Sequence, residues 1–85
     1  MVLVISVDCS YYRINAVLIE RNSGIDTDIC TASRLVTSEE YSLSVHELEY
    51  LAIYWAYEQF ESTIGHRSFL VQTDYAPLSS LHFWF

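Results

Sequence analysis

Residues 44–60, SVHELEYLAIYWAYEQF, narrow the possible folds more than any other part of the chain, because they are long enough and periodic enough to demand an α-helix. Leu48, Leu51, Ala52, Trp55 and Ala56 recur at helical spacing and Phe60 extends the stripe, so one broad face must be buried. Ser44 stands where an N-cap belongs, and Glu47 three residues later can reach back to its amide in a capping box. Gly65, preceded by Ser62 and Thr63, breaks the helix at its other end. Glu49 borders the buried face, and a carboxylate there needs a reason. The default reading is a glutamate on the helix surface. Two aspartates weigh against that default: Asp8 closes the strand-like apolar run 2–7, and Asp74 closes the run 69–73. Strand-end aspartates beside a helical glutamate can form one acidic pocket.

Around the helix the chain reads as short strands. Residues 2–7 are apolar on both faces, which suits a central strand covered on each side. Cys9, Ser10 and Tyr11 turn the chain into a second strand over 12–20. Arg21-Asn22-Ser23-Gly24 is a hairpin signal leading to a third, half-exposed strand over about 27–35. Residues 37–42 form a polar connection to the helix, a fourth strand spans about 67–73, and Pro77 suits a first helical turn. A right-handed crossover through the helix sets the fourth strand parallel to the first and beside it. Asp8 and Asp74 then become neighbours with Glu49 above them, and three carboxylates that close require a cation or a proton to neutralise them. Hard oxygen donors of this kind favour Mg²⁺ or Mn²⁺ over zinc.

Composition limits the partners. Eighty-five residues allow one small domain, 1–85, that buries about 60–65% of its unfolded surface. A hydrophobic content of 52% excludes a disordered chain, and no apolar run approaches the roughly 20 residues of a membrane span. Residues 2–7 lack the basic flank of a signal peptide. Cys9 and Cys30 are too few and too unpatterned for a disulfide framework or a zinc site, so reduced thiols and an intracellular setting, cytoplasmic or nuclear, are expected without membrane contact. The chain has no lysine, and its four arginines face 11 acidic residues for a net charge of −7. A free-standing module that grips phosphates is normally basic. Either the partner is not a nucleic acid, or the basic surface belongs to another part of a longer chain.

Four motifs in order carry a resemblance that runs through nearly the whole chain. They are VDCSYYRINAVL at 7–18, TASRLVTSEEYS at 31–42, HELEYLAIYWAYEQF at 46–60 and FLVQTDYAPLSSL at 69–81. Together they resemble the ribonuclease H domain of reverse transcriptases from gypsy-type LTR retrotransposons. The resemblance implies an α/β, ribonuclease H-like mixed sheet: three antiparallel strands, a crossover helix, then a fourth strand parallel to the first. It implies two-metal hydrolysis of the RNA strand of an RNA–DNA hybrid, with two Mg²⁺ or Mn²⁺ ions positioned by carboxylates and the remainder of a reverse transcriptase polyprotein as partner.

In that scheme Asp8 bridges both ions while Glu49 and Asp74 complete the set. Glu47 competes for the helical role, but the register of Leu51-Ala52-Ile53 favours Glu49 and Glu47 has capping work available. Ser10, Arg34 and Tyr75 occupy positions suited to substrate contact, each with an equal or better reading as a turn, surface or packing residue. The chain departs from the family by carrying Arg13 and Asn15 where glycines are usual. The family's fourth carboxylate, which follows a fifth strand, has no counterpart before Phe85. A domain lacking the fifth strand and final helix is therefore expected, and a catalytically dead, truncated or domesticated interaction module is the alternative function.

Overall fold

The computed structural model describes residues 1–10 and 12–73 together with the strand pairing of 82–83. Three antiparallel strands come first: β1, Val2–Cys9; β2, Arg13–Asn22; and β3, Ile25–Leu35. The β2–β3 turn consists of Ser23 and Gly24, with φ of 51° and 81°. Positive φ at both central positions gives a two-residue turn whose twist matches the flanking strands, and glycine takes that conformation without strain. A bulge between Leu18 and Ile19 shifts the register of this hairpin. A short 3-10 turn, Glu40–Ser42, then leads into the helix α1, Val45–Ile64.

The helix starts where the capping box predicts. The Glu47 amide donates to Ser44 Oγ at 3.2 Å, and the Ser44 amide donates to Glu47 Oε1 at 3.1 Å. It ends at Gly65, whose φ of 64° lets the chain turn away while its N–H bonds the Glu61 carbonyl. Arg67 covers the last turn, donating to the carbonyls of Ile64 and Thr63.

The helix returns the chain to β4, Phe69–Thr73, which pairs parallel with β1 in the register Val4↔Leu70 to Val7↔Thr73. Contrary to the expectation of a domain without a fifth strand, a two-residue strand, β5, His82–Phe83, pairs antiparallel with β4, so the sheet order is β3-β2-β1-β4-β5. The expected mixed topology, with β1 between an antiparallel and a parallel neighbour, is present. Pro77 and the expected helical turn there lie outside the described residues.

One core lies between sheet and helix. Leu3, Ile5 and Val7 of β1, Ile14, Ala16 and Leu18 of β2, and Phe69 and Val71 of β4 meet Leu48, Ala52, Ile53, Ala56, Phe60 and Ile64. Ala52 and Ala56 are fully buried, and their small side chains let the helix approach the strands closely. Val4 alternates to the opposite face of β1 and is 1% exposed, as the two-sided apolar run of that strand predicts. No helix among the described residues is long and apolar enough to cross a membrane.

Candidate functional site

Asp8 is the next-to-last residue of β1, one step beyond the Val7↔Thr73 pair that aligns β1 with β4. It alternates with the buried Val7, so its exposed side chain lies on the sheet face away from the helix, opposite Asn15 of β2. Glu49 comes from the first turns of α1 and is only 8% exposed. Thr73, at the end of β4 and on the helix side like Phe69 and Val71, donates its hydroxyl to Glu49 Oε2 at 3.0 Å. The fold thus holds one carboxylate nearly dry at the end of the parallel strand pair where Asp8 stands. Glu47 is exposed and engaged in the capping box. Asp74 and Tyr75 lie outside the described residues.

Cys9 reports on both carboxylates. Its thiol is pushed up to about 11, first by burial and then by the negative charges of Glu49 and Asp8. It stays protonated at neutral pH. A hollow of 110 Å³ opens beside it, lined by Cys9, Ser10, Val45, Leu48 and Glu49. A larger hollow of 480 Å³ lies at the other end of β1 and β4, between Met1, Val2, Leu3 and 67–70, and carries no carboxylate. Volume alone therefore points away from the chemistry. Cys9 and Cys30 are free thiols.

The other expected contact residues are already engaged. Ser10 Oγ accepts from the Tyr12 and Arg13 amides at 3.2 and 3.1 Å, bracing the β1–β2 turn. Arg34 donates both terminal nitrogens to Glu40 at 2.8 and 2.7 Å, bonds the Leu35 carbonyl, and lies 5.4 Å from the centre of the Trp55 ring. This ties β3, the 3-10 turn and the helix together. The bidentate pair and the Thr37 amide hold the Glu40 carboxyl down at about 2.

Asp8 and Glu49 supply hard oxygen donors, the type Mg²⁺ and Mn²⁺ take. Among the described residues no group of three His, Cys, Asp or Glu side chains is close enough to hold a metal ion. Sequence reasoning overlooked Thr73, although its place two residues after Val71 put it on the helix-facing side of β4.

A family model described as the RNase H-like domain found in reverse transcriptase matches residues 2–84. The chain belongs to this RNase H-like family of reverse transcriptases. It is also 36% identical over 77 residues to a retrovirus-related Pol polyprotein from transposon 412 of Drosophila melanogaster. That match covers 91% of the chain and 6% of the polyprotein, so the chain corresponds to a small part of its relative. In this chain β1, α1 and β4 bring Asp8, Glu49 and Thr73 to one end of the sheet.

Proposed function

We propose that the chain is the ribonuclease H part of a retroelement reverse transcriptase polyprotein and takes part in metal-dependent hydrolysis of the RNA strand of RNA–DNA hybrids. The observation that carries this reading is Glu49, a carboxylate sunk into the helix–sheet junction and held by Thr73. Burying a charge there is costly, and packing alone would be better served by an apolar residue. Two Mg²⁺ or Mn²⁺ ions, held by Asp8 and Glu49 with Asp74 as the third ligand, would activate the attacking water and stabilise the leaving 3′ oxygen.

The protein's own residues have simpler roles. Thr73 fixes the orientation of Glu49, so its carboxylate need not reorganise when charge arrives. Asp8 is exposed and therefore open to the substrate side. Bidentate bonding keeps Arg34 and Glu40 in the clip that carries the chain into α1. The net charge of −7 repels phosphates, which assigns the bulk of hybrid affinity to basic surface elsewhere in the polyprotein.

The test is cleavage of a labelled RNA–DNA hybrid in Mg²⁺ or Mn²⁺ by a polyprotein segment that contains this chain with its neighbours, alongside the 85-residue chain alone. The longer segment is expected to cut, the short chain to cut little or not at all, and Asp8→Asn and Glu49→Gln to abolish cutting. Melting of the short chain with and without the metals adds a binding readout: both variants lose the metal-induced rise. Full activity in Glu49→Gln overturns the reading. Hybrid binding without cleavage by the longer segment supports a catalytically dead interaction module instead.

A further inference from the structure

The chain's four arginines are its whole supply of fixed positive charge. Two are neutralised: Arg21 by a bidentate pair with Asp26, and Arg34 by Glu40. Arg67 is spent on the carbonyls at the end of α1 and lines the hollow at the other end of the sheet. Arg13 differs. It is exposed, it forms no ion pair among the described residues, and it lies at the same end of the sheet as Asp8.

Strand register places it closely. Asn15 is the cross-strand partner of Asp8, Ser33 is the partner of Asn15, and Arg13 is two positions along β2 from Asn15. Ile14 and Ala16 project into the core, so Arg13, Asn15 and Ser33 share with Asp8 the face away from the helix. Adjacent strands are about 4.8 Å apart and two positions along a strand span about 6.7 Å, so the backbone of Arg13 is within one side-chain length of the Asp8 carboxylate's surroundings. The side chain is also braced. Arg13 Nη1 donates to Ser33 Oγ at 2.8 Å, and Ser33 Oγ donates to Asn15 Oδ1 at 3.0 Å. That arrangement uses one of the guanidinium's five donors and leaves others for an anion that accepts through two oxygens.

We propose that Arg13, braced by Ser33 and Asn15, binds a backbone phosphate of the nucleic acid adjacent to the phosphate presented to Asp8 and Glu49. The assignment rests on the nuclease reading of the site and adds a phosphate contact to it. A cation on this face offsets the repulsion that Asp8 exerts on an approaching strand, and its spacing from Asp8 sets which phosphate is offered for cleavage. Ser33, which touches the guanidinium, and Asn15, which holds the Ser33 hydroxyl, act as positioning residues.

The experiment is fluorescence anisotropy of a labelled RNA–DNA hybrid titrated, at several salt concentrations, with the polyprotein segment that contains this chain and its neighbours. Arg13→Ala is expected to weaken binding several-fold and to reduce the salt slope of log Kd by about 1. Arg13→Lys retains the slope with part of the affinity, because a point charge replaces a two-pronged donor. Ser33→Ala retains the slope and loses less affinity than Arg13→Ala. Melting curves show whether each variant is folded, and the Lys variant keeps the charge question answerable if Arg13→Ala unfolds. An unchanged affinity and slope in Arg13→Ala, or equal losses in the Ala and Lys variants, overturns the Arg13 assignment alone. Absence of any hybrid binding by the unaltered polyprotein segment overturns the nuclease reading and this assignment together.

Discussion

Glu49 and Thr73 are partners 24 positions apart in the chain, and each makes the other's position tolerable. A buried carboxylate needs hydrogen-bond donors, and a buried hydroxyl needs an acceptor. Thr73→Val keeps the shape of the side chain and removes the donor. It is expected to destabilise the chain by about 1–3 kcal/mol, read from chemical denaturation, because the charged group keeps its desolvation cost and loses one bond. In a cleaving polyprotein segment the same variant lowers activity or metal affinity about 10–100-fold, since the ligand loses its fixed orientation. An unaltered denaturation midpoint would mean that the hydroxyl contributes nothing. Cys9 adds a marker for this environment: with its thiol held near 11 by burial and by Glu49 and Asp8, it is expected to react more slowly with an alkylating agent at neutral pH than an exposed thiol does, measured as a labelling rate.

At the level of elements, the helix delivers Glu49 to the sheet end, so whatever sets its start also sets the site. The start is set by the reciprocal bonds of Ser44 and Glu47. Ser44→Ala removes a cap worth about 1 kcal/mol and frays the turn immediately before Leu48 and Glu49. The expected result is a lower melting temperature with a larger fractional loss of metal response than of helix content, measured by circular dichroism with and without Mn²⁺. Equal stability in the variant would show that packing of the apolar face alone holds this turn. At the opposite end Gly65 turns the chain at positive φ and the Arg67 side chain caps the last carbonyls. The stacked rings of Tyr57 and Phe69, 5.4 Å apart, fasten the later half of the helix to β4.

Across the whole molecule, stability below neutral pH is governed by carboxylates held ionised by their partners. Glu40 titrates at about 2 in the folded chain against an ordinary 4.5, so the clip with Arg34 and Thr37 stabilises fully above pH 4.5 and weakens as pH falls toward 2. Asp26 and Glu47 are also held below the usual range, by Arg21 and by the Ser44 amide, but both are exposed and their effect is small. Glu40→Gln is expected to lower the melting temperature at pH 7 and to flatten its fall between pH 4.5 and about 2. An identical pH profile in the variant would refute the clip. Much of this architecture could be read along the chain. The apolar repeat of 44–60, the capping pair, the Ser23-Gly24 turn and the two apolar runs ending before Asp8 and Asp74 are local patterns, and local patterns specify which element forms and where it stops. The crossover rule extended them to the β1–β4 pairing. Other features lie beyond local pattern. Glu47 and Glu49 differ by two positions on one helix, and it is the end of β4 that buries one beside Thr73 while the other stays exposed. Arg13 reaches the neighbourhood of Asp8 through the β1–β2–β3 register. These outcomes depend on which residues far apart in the chain are pressed together, and that is settled by the shared burial of the sheet and helix faces in one core.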